Sequence, residues 1–193
     1  MSLLDAPEDV LSATLAFLGK DPRSESLEDL QAAEAVWMSI RPSIRYFDSA
    51  RYFADLANGD LCLVLGWSGD IAQARQRARQ AGKPDTIEYV LPTEGSVSTV
   101  DVLAIPADAP HPKNAHLFIN YLLRPDVAAK NASTVSYASG VAGSEALLPA
   151  ELRNDQAVYP PTDVRQRLLT MRAKSPQFTR AMMRAWTRFK TGQ

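Results

Sequence analysis

The stretch Leu61-Cys62-Leu63-Val64-Leu65-Gly66-Trp67-Ser68-Gly69-Asp70 limits the possible folds more than any other part of the chain. Its continuous apolar run has the length of a strand and reads as a buried one, which a glycine ends before a helical segment begins. The break presents an indole ring, and three residues further on a carboxylate stands at the mouth of the following helix. A ring quadrupole attracts ammonium groups and a carboxylate accepts their hydrogen bonds, so the pair suits a cationic ligand. The same two residues also read as a core tryptophan beside an aspartate that caps the next helix.

On both sides of this stretch the expected elements alternate in type. Pro7, with Glu8 and Asp9 behind it, opens a helix that Gly19 ends, and Ser26-Leu27-Glu28-Asp29 resembles a capping box for a second helix that Arg41-Pro42 stops. Ile44 to Phe47 reads as a short strand, Ser49 to Ala57 as a helix closed by Asn58-Gly59, and the Ala- and Arg-rich residues 69–82 as a surface helix. After a turn at Lys83-Pro84-Asp85, strands are expected at Thr86 to Leu91 and Val97 to Ile105, then helices at Asn114 to Leu123 and from Pro125 to Ser133. Val135-Ser136-Tyr137-Ala138 reads as a short extended piece, and helices at Thr162 to Ala173 and Pro176 to Lys190 finish the chain. The alternation makes the class α/β. In open α/β sheets ligands gather outside the C-terminal ends of the strands, which is where Trp67 and Asp70 fall.

The strand Val97 to Ile105 carries one anomaly, Asp101. If the strand is buried, an ionised Asp101 needs either a cation or a place where the sheet opens into a cleft. A salt bridge to an arginine and a ligand site both meet that need.

Charge is nearly balanced, 21 Lys and Arg against 22 Asp and Glu, which argues against a nucleic-acid partner and against a membrane-surface protein. The distribution is lopsided, because residues 1–60 hold eleven acids and five bases whereas Val164 to Gln193 holds eight bases and no acid. The last helix nevertheless carries one apolar stripe with its arginines elsewhere, the pattern of a packing helix rather than a nucleic-acid arm. The single cysteine, Cys62, sits in the apolar run, where a buried and inert thiol is expected. No stretch nears the roughly 20 apolar residues of a membrane span, and Met1-Ser2-Leu3 leads almost directly into helix signals, as in a mature fragment. His111 and His116 are the only histidines. They lack the partners of a metal site or a Ser-His-Asp triad, and neither an enzyme nor a cofactor is expected.

Several stretches together carry a resemblance. They are Leu4-Asp5-Ala6-Pro7, Leu18-Gly19-Lys20-Asp21-Pro22, Ile40-Arg41-Pro42 with Ile44-Arg45-Tyr46-Phe47, Asp55-Leu56-Ala57-Asn58-Gly59-Asp60, Gly66-Trp67-Ser68-Gly69-Asp70, Asn120 through Val127, Tyr159-Pro160-Pro161 and Arg184-Ala185-Trp186-Thr187. In these the chain resembles the putrescine/spermidine-binding periplasmic proteins of bacterial polyamine ABC transporters. The resemblance implies a periplasmic-binding-protein type II-like lobe, a mixed sheet flanked by helices, in an incomplete two-lobe architecture. Residues 1–93 and 147–193 correspond to the second lobe, and residues 94–146 to a crossover and part of the first.

By the same resemblance the ligand is a polyamine bound by Asp9, Trp67, Asp70, Asp101 and Tyr137, without a cofactor or metal. The family tends to place an aromatic residue where this chain has Thr99. The implied partner is the membrane permease of an ABC transporter and the implied location the periplasm, with binding impaired because half the cleft is missing. The alternative is an interaction module that dimerises or exchanges segments through the exposed half-cleft.

Overall fold

The computed structural model describes residues 1–84 and 86–193. The turn expected at Lys83-Pro84-Asp85 therefore falls partly outside the described residues. The chain begins with a strand that the sequence patterns did not announce, β1 (Ser2–Leu3), followed by α1 (Pro7–Phe17), α2 (Leu27–Ile40) and β2 (Tyr46–Phe47). Then come α3 (Tyr52–Asn58), α4 (Ser68–Gln80), β3 (Val97–Ser98), α5 (Pro112–Leu122) and α6 (Pro125–Val135). The remainder is α7 (Ala150–Arg153), α8 (Thr162–Arg165), β4 (Leu169–Thr170) and α9 (Pro176–Thr191).

Local chemistry sets most boundaries. Pro7 occupies the first turn of α1, and the Ser26 hydroxyl accepts the main-chain N–H groups of Glu28 and Asp29, as a capping residue should. Gly59 ends α3 in the left-handed region at φ 81°, a conformation glycine adopts without a steric penalty. Parallel pairing places β1 centrally. It is registered Ser2 to Tyr46 and Leu3 to Phe47, and on its other edge Ser2 bridges Val64, with Leu65 N–H donating to the Ser2 carbonyl at 3.1 Å.

The main core joins the two ends of the chain. Val10, Leu11 and Leu15 of α1 and Leu30, Ala33 and Trp37 of α2 meet Phe178, Met182, Ala185, Trp186 and Phe189 of α9. Trp37 is fully buried, stacks on Phe189 with ring centroids 5.3 Å apart, and meets Trp186 edge-on at 5.7 Å. Its indole N–H donates to the Thr14 hydroxyl at 2.7 Å, so the ring's one polar group is satisfied. Arg41 closes the arrangement by donating to the carbonyls of Phe189 at 2.9 Å and Lys190 at 2.8 Å, the free acceptors at the end of α9. A second cluster, Leu4, Tyr52, Leu61 and Ile71, lies where α3 and α4 meet. A third joins Ala129 and Ala132 of α6 to Leu148.

Several expectations change. Leu61 to Leu65 is not a buried strand. It touches β1 only around Val64, and Leu63 is 60% exposed because these residues stand on the wall of an open cleft. Cys62 is exposed for the same reason, so the expectation of a buried thiol is corrected. Thr86 to Leu91 forms no ladder among the described residues and lines the same cleft. Of Val97 to Ile105 only β3 is paired, to β4, and beyond it Val100 and Val102 are exposed. The helix expected from Thr162 stops at Arg165, since Leu169 N–H donates to the Ser96 carbonyl at 3.1 Å and turns the chain into β4. Pairing there overrides helix propensity. Val135-Ser136-Tyr137-Ala138 is no extended piece either. Helix α6 runs through Val135, and Ser136 turns left-handed at φ 58° with its N–H on the Ala132 carbonyl at 2.8 Å.

Replacing Trp37 with Ala removes the ring that α1, α2 and α9 share. A loss of about 3–5 kcal/mol is expected in equilibrium chemical denaturation, as for other buried aromatic-to-alanine changes.

Candidate functional site

A cleft of about 890 Å³ opens between the Leu61 to Ser68 segment, α1, residues 86–92 and the loops around Tyr137 and Tyr159. Of the residues expected to bind ligand, Asp9, Trp67 and Tyr137 line it. Asp70 lies directly behind Tyr137, and Asp101 stands exposed, close enough for its charge to act on the Tyr137 phenol. Among the described residues lining the cleft, the charged ones are Asp9, Glu88, Glu145 and Arg165, three carboxylates against one guanidinium.

Two helix starts supply the first acids. Asp9 sits in the first turn of α1 and Asp70 in the first turn of α4, where the aligned peptide dipoles favour negative charge. Asp9 Oδ2 accepts the Trp67 indole N–H at 3.0 Å, which fixes the ring against a carboxylate. Asp70 does not cap α4. The residue at that cap is Trp67 and no side chain bonds there, so the reading of Asp70 as a capping aspartate does not hold. Its carboxylate instead takes Tyr52 O–H on Oδ2 at 2.6 Å and Tyr137 O–H on Oδ1 at 2.8 Å. Trp67 is half-buried, packing on the Leu4, Tyr52, Leu61 and Ile71 cluster while also facing the cleft. The core and ligand readings of this tryptophan are compatible.

The glycines of Gly66-Trp67-Ser68-Gly69-Asp70 permit this arrangement. A Cβ on Gly66 would collide with the Tyr52 ring, and one on Gly69 with the Tyr137 ring. Each glycine thus opens space for the ring of one of the two phenols that reach Asp70. The left-handed turn at Ser136 releases Tyr137 from α6 toward the same carboxylate. Burial first, then the hydrogen bond to Asp70, pushes both phenols well above the ordinary tyrosine range, so both stay protonated donors. Burial also pushes the Tyr89 phenol up where it packs beside the second cluster.

Tyr52, Glu88 and Glu145 were not singled out from the sequence. For Tyr52 a signal was present, because two glycines flanking a Trp and preceding an Asp imply that rings approach the backbone closely there. For the two glutamates only the fold brings them to the cleft. Together the site offers anions, aromatic faces and phenol hydroxyls, a set suited to holding an elongated cation without covalent chemistry.

The model of the family described as bacterial extracellular solute-binding protein matches residues 2–160. The chain is 43% identical over 194 residues to the putrescine-binding periplasmic protein PotF of Escherichia coli, covering 100% of this chain and 52% of that protein. It is 39% identical over 193 residues to the putrescine-binding periplasmic protein SpuD of Pseudomonas aeruginosa, covering 100% of this chain and 53% of that one. A solved structure described as a putative spermidine/putrescine ABC transporter from Listeria monocytogenes superposes with a TM-score of 0.87 at 26% identity, covering 99% of this chain and 57% of that chain. The fold is the expected periplasmic-binding-protein type II one, in part. The chain spans about half the length of the curated relatives it matches.

Gly69→Ala tests the close approach. An alanine in a first helical turn is ordinarily neutral or stabilising, whereas here a loss of about 1–3 kcal/mol is expected in chemical denaturation, since the Tyr137 ring must move.

Proposed function

The chain belongs to the bacterial extracellular solute-binding protein family, and we propose that it serves the capture of putrescine- or spermidine-type polyamines for uptake by an ABC transporter. The observation that supports this most is the joining of two helix-start carboxylates to one tryptophan: Asp9 bonds the Trp67 ring directly, and Asp70 reaches the Trp67 main chain through Tyr52. In this reading Asp9, Asp70 and Asp101 accept hydrogen bonds from the amines, while Trp67 and Tyr137 sandwich the methylene chain and add cation–π attraction. Each Asp70 oxygen holds one phenol and retains a lone pair for an ammonium group. Thr99, exposed near β3, leaves one wall of the slot without an aromatic face. No bond is made or broken and no cofactor takes part.

The division into lobes follows two of the three cores, while the third cluster and the pairing of β3 with β4 cross it. Residues 1–93 and 147–193 are the second lobe, supported by the two larger clusters, which draw on these residues alone. Residues 94–146 are the crossover and part of the first lobe. This chain alone then presents one wall of a clamp, and a one-sided site leaves the cation solvated and the affinity low. With the other wall present, closure would bury the ligand and offer a surface to a membrane permease in the periplasm. No nucleic acid takes part.

Isothermal titration calorimetry checks this. Dissociation constants of ~1 mM or weaker are expected for putrescine and spermidine with this chain, weakened further by Asp70→Asn and by Trp67→Ala. Nanomolar binding overturns the one-walled reading, and binding untouched by both variants overturns the site.

A second reading has its own observation. Leu117 is 68% exposed and Phe118 60%, on α5, a helix with no buried residue, and Val102 is 80% exposed nearby in sequence. Such residues lie outside the cleft lining and extend the exposed apolar surface of an interaction module, whose dimer would close over the open half-cleft. Light scattering over a concentration series is expected to show a mass rising toward the dimer, and a constant monomer mass removes this reading.

A further inference from the structure

Tyr52 is fully buried, and its ring packs so closely on Gly66 that no side chain fits between them. Its hydroxyl accepts the main-chain N–H of Trp67 at 3.0 Å and donates to Asp70 Oδ2 at 2.6 Å. A phenol has one proton to give and lone pairs to receive, so a single group satisfies both neighbours. An aspartate in a first helical turn ordinarily turns back to the free N–H groups of its own helix. Asp70 makes no such cap, and the only hydrogen bonds on its carboxylate among the described residues come from two phenols.

We propose that Tyr52 is the positioning residue of this site: its hydroxyl holds the Trp67 main chain and the Asp70 carboxylate in one frame and so aims Oδ1 at Tyr137. Without that hydroxyl the Trp67 N–H loses its acceptor, and the carboxylate is free to rotate toward the start of α4. Tyr137 then loses an aligned partner. That the frame serves polyamine capture rests on the function proposed above, whereas the relay rests on the geometry alone.

Tyr137 reports on the relay. Burial raises its phenol most, the Asp70 carboxylate next through a hydrogen bond and through charge, the Asp70 main chain pulls the other way, and Asp101 raises it more weakly through charge. In the full chain, the Tyr137 Cζ resonance followed by NMR through an alkaline titration has a midpoint that both Asp70→Asn and Tyr52→Phe should lower. For Tyr52→Phe the expected fall is about one pH unit, tenfold in the ionisation constant, the size of one charge-assisted hydrogen bond. Adding Tyr52→Phe to Asp70→Asn should move it no further, since both act through one carboxylate. Tyr46→Phe, which deletes a phenol bonded to Asp55 instead, should leave it in place.

A Tyr137 midpoint unmoved in Tyr52→Phe, or additive shifts in the double variant, overturns the proposal. Should Tyr52→Phe not fold, the wild-type chain gives the second measurement, a slowly exchanging Tyr52 hydroxyl proton with a cross-peak to the Trp67 amide, and its absence overturns the proposal equally. Putrescine titrated into the same samples separates the two ideas. A wild-type chain that ignores putrescine while Tyr137 responds as stated sinks the function and leaves the relay standing, and putrescine binding with an unmoved midpoint does the reverse.

Discussion

Everything in the molecule depends on α9 folding back onto the helices at the start of the chain. Its Trp186 and Phe189 close over Trp37, and Phe47 meets both rings edge-on at 5.3 and 5.0 Å. Aromatic groups of this size dominate the apolar area that a small core can bury, and their edge-to-face geometry adds to it. Polar ties fasten the same junction. Trp186 donates to Asp5 at 3.0 Å, and the Asp5 carboxyl in turn is lowered from its ordinary value, first of all by its hydrogen bond from the Lys190 ammonium.

The cleft inherits its geometry from that junction. Asp5 is two residues before α1, and α1 sets where Asp9 meets the indole. Tyr52 opens α3, α3 packs on α4, and α4 carries Asp70. A carboxylate held by two protonated phenols keeps its charge in a fixed direction while leaving lone pairs open, which is what a saturating array of lysines or arginines around it would prevent. The half-buried pair Arg75 and Asp155, 2.5 Å apart, ties the far side of α4 to the loop before α8.

Helices were legible in the sequence because their signals are local. Pro7, the Ser26 cap, Asn58-Gly59 and the apolar stripe of α9 each act within a few residues, and each element lies close to where those residues put it. Strands were legible only where a partner lies within the chain. The run Leu61 to Leu65 has the composition of a buried strand, yet burial is a property of what packs against it, and one edge of that run meets a cleft. β1 escaped notice because two residues carry no periodicity. In the site, Trp67 and Asp70 were visible as a motif, whereas the role of Tyr52 depends on a contact spanning 18 positions that only folding brings together. The anomaly that drew notice to Asp101, an acid in a buried strand, is absent in the fold, for that segment is exposed.

The clasp between Arg41 and the end of α9 joins groups 148 and 149 positions apart. A polypeptide leaves the ribosome from its first residue onward, at about 5–20 residues per second, and helices α1 and α2 emerge long before the helix that covers them. Between the synthesis of α2 and that of α9, Trp37, Leu11 and Leu15 have no Phe189 or Met182 to meet. The nascent chain therefore carries an uncovered apolar face until α9 is made, and contacts of such long sequence separation form slowly.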